Sequence, residues 1–314
     1  MSEIELSVVI PTYNRVDRLR YVVPTLLEQS LDPARYELVV ADSRSDDGTA
    51  EFITTLNERQ PGRIRFIPGA YTGRAAARNA GIEAARGKVV LFTDADILAT
   101  PTLLERHIRQ HREAPGKRIA VVGCELQVQS LADYERQRDD ESARRPLHPA
   151  TRKQLSWLYF LTGNASVGRD ELLAVGGFDE QFTGYGHEDL ELGYRLVMNG
   201  IAIVYDAAAI NFHWHPVPFA EQVGRMELAG VSTVRFYRKH PDFRVKANLG
   251  MTSVSLAFHT VLQAAAPLRR ALEKAGAHDA PRKNTWPYIA RQIAYQYHYV
   301  SGIKRALKDP GSVR

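Results

Sequence analysis

One cysteine, Cys124, in a chain of 314 residues leaves no partner for an internal disulfide and cannot build a cysteine-rich zinc site. Any metal is therefore expected on oxygen and imidazole donors, and a reducing compartment is compatible with the composition. A charged-then-apolar leader is also missing, because Ser2, Glu3 and Glu5 follow Met1 and run straight into a strand pattern. Ala247 to Leu268 carries no charged residue and is long enough to span a bilayer. Thr252, Ser253, Ser255, His259, Thr260 and Gln263 make it a poor span, so a helix lying in the interface or packing on protein is expected. Together these features place the chain in the cytoplasm, either free or peripheral at the inner face of the membrane. No Gly-x-Gly-x-x-Gly follows the first strand, which argues against a dinucleotide-dependent oxidoreductase. No basic stripe interleaved with aromatics appears, so nucleic acid is not an expected partner. Repeats and low-complexity tracts are absent. The formal charge of +5 suits anionic ligands such as nucleotide diphosphates, or an acidic membrane face.

What is present reads as soluble globular protein, with 44% hydrophobic and 25% charged residues. Leu6–Ile10, Glu37–Ala41, Ile64–Ile67 and Val89–Phe92 are short apolar runs of the kind buried on both faces of a parallel sheet. Between them, 17–29, 49–57 and 73–85 carry helical periodicity. This alternation predicts an α/β fold, Rossmann-like, with a mostly parallel sheet flanked by helices. A helix is expected from Pro101 to Arg112, a strand at Ile119–Gly123, and an irregular, basic flap or a solvated surface helix over Ala132–Lys153. A further helix ends at Met198 and is closed by Asn199-Gly200. Ile201–Tyr205 and Ile210–Pro216 finish this first domain, residues 1–216.

Two of the strands end in acids. Asp42 closes the second, and Asp94-Ala95-Asp96 follows Phe92. Ligands in open α/β sheets sit beyond the carboxyl ends of the strands, so these carboxylates stand where a site belongs. Two nearby anions repel unless a cation lies between them, and hard oxygen donors suit Mg²⁺ or Mn²⁺. The plainer reading makes Asp94 a helix cap and leaves Asp96 solvated. His213 and His215, at i, i+2 on a strand, share one face and are candidates for a further ligand, or else form a surface pair beside Pro216. Asp42 suits a hydrogen-bond acceptor for a base imide N–H. Arg78, with Arg74 one turn away, is a fixed cation for base or diphosphate, although surface charge also explains Arg74. Trp157, Tyr159 and Tyr185 form either a sugar-stacking platform or part of the core.

The order of several short motifs resembles glycosyltransferase family 2, nucleotide-sugar transferases of GT-A fold, over roughly residues 5–216. Val8 to Arg15 looks like the family's opening strand and nucleotide loop. Asp42 to Thr49 is similar to its second motif, with Ser43 and Arg44 in place of the usual second acid and glycine. Ala77-Arg78-Asn79-Ala80-Gly81, Asp94-Ala95-Asp96, Gly176-Gly177-Phe178-Asp179 and Glu188 to Arg195 follow in order. The resemblance implies a nucleotide-diphosphate sugar, UDP-sugar by default, held by Pro11, Thr12, Tyr13, Arg15, Asp42, Arg78, Asp94 and Ala95. It implies a divalent metal on Asp94 and Asp96, with His213 or His215 as the imidazole ligand of several such enzymes. For an inverting transfer it implies Asp189 as the base that takes the acceptor's proton, with Glu188 holding the acceptor. Helix capping is the alternative for both acids. The acceptor is expected to be a glycan or a lipid-linked hydroxyl. A nucleotidyltransferase would share the acidic site but open on a glycine-rich loop, which Pro11 to Arg15 does not resemble. A non-catalytic nucleotide-sugar or glycan binder would share the motifs without turnover.

Beyond Pro216 the strand alternation stops. Phe219–His240 and Trp286–Lys308 read as amphipathic helices, and Ala277–Thr285 as a linker, so 217–314 is expected to be a helical extension. It would contact the first domain, a second copy as a homodimer, or a membrane surface.

Overall fold

Leu6–Thr12 (β1), followed by helix Val16–Leu27 (α1), and Tyr36–Asp42 (β2) are strands in which every residue is buried. Such strands need cover on both faces, which is why they read as unbroken apolar runs. The computed structural model describes residues 3–144, 154–278 and 284–309. In chain order there follow α2 (Thr49–Arg59), β3 (Ile64–Pro68), α3 (Arg74–Ala84), β4 (Val89–Phe92), β5 (Ile97–Ala99), α4 (Leu103–Arg112), β6 (Ile119–Gln127) and α5 (Leu131–Asp139). Next come β7 (Gln154–Leu155), β8 (Ala165–Gly168), α6 (Arg169–Ala174), α7 (Glu188–Met198) and β9 (Ala202–His213). Five helices close the chain: α8 (Phe219–Lys239), α9 (Phe243–Asn248), α10 (Ser253–Ala264), α11 (Ala266–Gly276) and α12 (Trp286–Lys308). They pack as two units, one of Met1–Thr183 with Glu188–Pro216, the other of Gly184–His187 with Val217–Arg314.

The first unit is built on one sheet of strand order β3-β2-β1-β4-β8-β6-β9-β5, with β7 paired to β9. Pairing is parallel from β3 to β4 and between β6 and β9, and antiparallel where β8, β5 and β7 join. The sheet is therefore mixed rather than mostly parallel. Leu19, Val22, Val23 and Leu26 of α1 join Val8, Ile10, Leu38 and Val40 in the core beneath. On α3, a Cβ at Gly81 would lie 2.3 Å from Val9 Cγ1, so only glycine lets that helix approach β1 so closely. Glu37, buried in β2, is paired there, with Arg86 donating Nε and Nη2 to Oε2 and Ser7 Oγ donating to Oε1.

Two features of this sheet differ from the sequence reading. Strand β5 is too short to show a period. The separate segments expected at 201–205 and 210–216 form one strand, β9, interrupted where Gly123 pairs with Asp206 and Cys124 with Ile210, so that 207–209 loop out. Asn164 pins this bulge, donating Nδ2 to Ala209 O at 2.9 Å while its own carbonyl takes Gly123 N–H. The buried His107 holds Asn164 Oδ1 at 2.8 Å, and burial pushes its imidazole down to about 4, so it is neutral near pH 7. The segment read as either a flap or a surface helix forms the helix α5 over its first part, with Tyr134 edge-on to Phe212 at 5.2 Å. Residues 145–153 of that segment, and 279–283 of the expected linker, lie outside the described residues.

In the second unit α8 and α12 cross backbone to backbone. A Cβ on Gly230 would stand 2.0 Å from Tyr299 O, and one on Gly302 would stand 2.0 Å from Glu227 O. Gly302→Val is therefore expected to destabilise this unit by about 3 kcal/mol in urea unfolding, despite valine's better helix propensity. An unchanged midpoint would show that the crossing can open at no cost. The run expected as one helix from Ala247 to Leu268 is divided, because Gly250 takes a left-handed φ of +69° and Pro267 opens α11.

Candidate active site

Three parallel strands, β2, β1 and β4, end side by side, and their loops carry most of the candidate residues. The loops after β1 and β2 are stitched together. Asn14 adopts φ +49°, which asparagine tolerates, and donates its N–H to Ser45 Oγ and its Nδ2 to Asp46 Oδ1, both at 2.8 Å. Asp47 accepts from Val16 N at the start of α1 and from Thr49 N at the start of α2. Partial burial would raise its carboxyl, but the bonds from Thr49 and Val16 outweigh that and hold it below the usual carboxylate range. Asp42, 2% exposed, accepts from Ser45 Oγ at 2.5 Å and from Ser45 N at 3.0 Å. Its carboxylate thus shapes the loop on which a nucleoside would rest. Arg44, exposed, takes a left-handed φ of +59° that a glycine would adopt without strain. Pro11 and Thr12 are buried at the end of β1, while Tyr13 and Arg15 are exposed above it. The hydroxyls of Thr12 and of Thr93, at the ends of adjacent strands, are buried without a hydrogen-bond partner.

The short helix motif around Arg78 divides its labour. Asn79 exchanges hydrogen bonds with both backbone groups of Phe178, fixing the turn in which Gly176 and Gly177 take φ of +84° and +64°. Arg78 points the other way and is 1% exposed. It donates Nη2 to Asp94 Oδ1 at 2.8 Å and Nη1 to Glu188 Oε1 at 3.2 Å, above the Phe178 ring. Nη1 and Nη2 thus clip the end of β4 to the start of α7, while Nε is buried without a hydrogen-bond partner. Arg78→Met leaves Glu188 buried and Asp94 partly buried without their cation. A loss of about 3–5 kcal/mol is expected in urea unfolding, and a loss below about 1 kcal/mol would contradict the clip.

Asp189, next to Glu188 in the first turn of α7, is half-buried. Desolvation, then the neighbouring Glu188 charge, push its carboxyl up to about 7, and Arg78 only partly offsets them. That is the range in which a carboxylate works as a base near neutral pH.

Asp96 belongs to a second cluster. Strand β5 pairs with the end of β9 so that Ile97 faces His213, and Trp214 N donates to Asp96 O at 2.9 Å. On its other side His213 faces Gln127 of β6, whose Nε2 lies 3.0 Å from His213 Nδ1. His213 Nε2 and His215 Nδ1 lie 3.6 and 3.2 Å from the Asp96 carboxylate, and the two rings stack 5.8 Å apart. Burial opposes charge on both Asp96 and His213. Their mutual attraction prevails, helped by His215 and Glu125, and holds Asp96 well below the carboxylate range while pushing His213 up to about 10. Glu125 Oε1 stands 3.6 Å from His213 Nδ1.

Among the described residues no group of three or more histidine, cysteine, aspartate or glutamate side chains is placed to hold a metal ion. The donor chemistry around Asp96 nevertheless fits a divalent ion. Donors sharing a cation at about 2.1 Å stand about 3 Å apart, near the 3.2 and 3.6 Å separations from Asp96. Asp96 Oδ1 is also buried with no hydrogen-bond partner. The two carboxylates of Asp94-Ala95-Asp96 are therefore divided, Asp94 to Arg78 and Asp96 to the histidines, with Ala95 buried between them. Trp157 packs edge-on to Tyr194 and belongs to the core, whereas Tyr159 is exposed. Glu125 and Gln127 were not singled out from sequence. A glutamate breaking the apolar run of β6 was the available signal.

The family model described as glycosyl transferase family 2 matches residues 7–176. The chain belongs to that family. Asp42, Arg78, Asp94 and Asp96 fall within this span, and a second model, the N-terminal domain of galactosyltransferase, matches residues 147–212 and covers Glu188 and Asp189. Among relatives of this family-2 chain, validoxylamine A glucosyltransferase of Streptomyces hygroscopicus subsp. limoneus is 34% identical over 271 residues, 76% of this chain. The chain spans 57% of that protein's length. Among solved structures, mannosyltransferase PcManGT from Pyrobaculum calidifontis, in complex with GDP-Man and Mn²⁺, is 21% identical with a TM-score of 0.64, covering 97% of this chain and 88% of that one. S. aureus TarS 1-349 in complex with UDP is 16% identical with a TM-score of 0.57, covering 97% of this chain and 92% of that one. These likenesses show the fold, which is the GT-A type with a helical C-terminal region.

Proposed function

We propose that this family-2 chain is a metal-dependent, inverting glycosyltransferase that moves a sugar from a nucleotide-diphosphate donor, UDP-sugar first, to the hydroxyl of a glycan, lipid-linked or other acceptor. The observation that carries the reading is the pairing of two clusters at one sheet edge. Asp96 with its histidines has the donor chemistry for a cation. Asp94, through Arg78, is tied to the helix turn that bears a carboxyl poised near neutrality. The names of relatives and of fold neighbours, which include glucosyl and mannosyl transfer and bound UDP or GDP-Man, support it.

In this reading Tyr13 lies against the base and the Asp42-shaped loop supports the nucleoside. The free hydroxyls of Thr12 and Thr93 donate to ribose or phosphate oxygens. Asp96, His213 and His215 hold Mn²⁺ or Mg²⁺, which when bound neutralises charge on the departing diphosphate. The acceptor oxygen bonds to the anomeric carbon as the bond from that carbon to the diphosphate oxygen breaks. Asp189 takes the acceptor's proton, and Glu188, held by Arg78, faces the acceptor. The test is a transfer assay with UDP-, GDP- and dTDP-glucose, Mn²⁺, and validoxylamine A as first acceptor in a panel of sugars. Metal-dependent formation of a glycosylated product is expected. Tight nucleotide-sugar binding without turnover on any acceptor would favour a non-catalytic binder.

A further inference from the structure

Helix α10 packs with one face and leaves the other bare. His259 and Leu262 are 4% exposed. Val254, Phe258 and Val261, at i, i+4 and i+7 and so in one stripe, are 79%, 42% and 65% exposed. The helices on either side continue the pattern, with Phe243 of α9 at 80% and Leu268 of α11 at 53%. From Phe243 to Leu272 the charged residues are Arg244, Lys246, Arg269 and Arg270; Arg244 pairs with Asp242 and Arg269 stands 3.7 Å from Glu273, while Lys246 and Arg270 are exposed. A further cation stands on the flank of α10, where Lys304 Nζ donates to Thr260 Oγ1 at 2.7 Å. Among the described residues no single helix is long and apolar enough to cross a membrane, and the apolar stretch is bent by 100° between α10 and α11.

We infer that this face is a docking surface for an anionic lipid bilayer, on which α10 lies flat with Val254, Phe258 and Val261 in the headgroup boundary. An uncharged, exposed apolar stripe with Lys246, Arg270 and Lys304 about it is complementary to such a surface. A second copy of the chain is the poorer fit, because a symmetric contact would press the same basic rim against itself. The surface is independent of the transferase reading and does not rest on it.

The test is co-sedimentation of the full chain with vesicles of phosphatidylcholine alone or mixed with phosphatidylglycerol, at low and high salt, with light scattering in parallel. Binding to the anionic vesicles only, weakened by salt, is expected. Val254→Glu/Val261→Glu should lower the partition coefficient by more than about ten-fold, and Arg270→Gln by about five-fold. Both sites are exposed, so the variants should keep the wild-type circular dichroism and melting temperature. Any of three outcomes would overturn the inference: no binding at low salt, equal binding to neutral vesicles, or a concentration-dependent dimer that the double variant abolishes.

Discussion

Asp189→Asn is expected to lower sugar transfer by about 10²–10⁴-fold, the usual worth of a positioned base, while leaving nucleotide-sugar affinity within about two-fold. The carboxyl is in the first turn of α7, half-buried beside Glu188, and its proton is held up to about 7. Asparagine keeps the shape and loses only the site for the proton. The wild-type rate should rise with pH through about 7 and then level, because the base works only when ionised. Stability runs the other way. The folded state holds this proton more tightly than the unfolded chain, so stability falls as pH rises from near 4 to about 7, and the loss is complete above that. Asn does not titrate, so the variant should melt higher than wild type at about pH 8. Retained transfer would remove Asp189 from the mechanism. Lost donor binding would make it a binding residue instead.

Asp96→Ala should have the second large effect, weakening Mn²⁺ binding by more than about 100-fold, beyond what the loss of an outer-shell partner produces. Electron paramagnetic resonance titration of free Mn²⁺ reads this without any turnover. The reasoning is local. Asp96 is the carboxylate that stands beside both His213 and His215, at 3.6 and 3.2 Å, whereas Glu125 stands beside His213 alone at 3.6 Å. Asp94→Asn is the informative contrast, since Asp94 is bonded to Arg78. It should lower the melting temperature and leave Mn²⁺ affinity nearly unchanged, whereas Asp96→Ala should lose the affinity. Equal metal affinity in wild type and Asp96→Ala would move the cation site elsewhere.

Much of this framework could be read from the sequence for a plain physical reason. Strands buried on both faces leave unbroken apolar runs, and the point where Val40-Ala41 gives way to Asp42, or Phe92 to Asp94, marks the sheet edge where ligands bind. The assembly of the site could not be read in the same way. Three residues, Ile97–Ala99, are too few to show a period, yet their pairing with Asn211–His213 carries Asp96 to the histidines. The bulge at 207–209 hides the continuity of β9 for the same reason. Arg78 reads from the sequence as a cation for base or diphosphate. Only tertiary packing reveals that it is buried between Asp94 and Glu188. Helix α5 lies in a stretch whose charge left a flap and a surface helix equally open, and it packs through Tyr134 against Phe212, a contact between residues far apart in sequence.

The most direct measurement is calorimetric titration of UDP, GDP and dTDP into the wild-type chain and into Asp96→Ala, each with and without Mn²⁺. The account expects one nucleotide, UDP first, to bind the wild type only when Mn²⁺ is present, and that dependence to disappear in the variant. Binding that ignores the metal, or no binding of any of the three, would break the link between this acidic sheet edge and diphosphate chemistry.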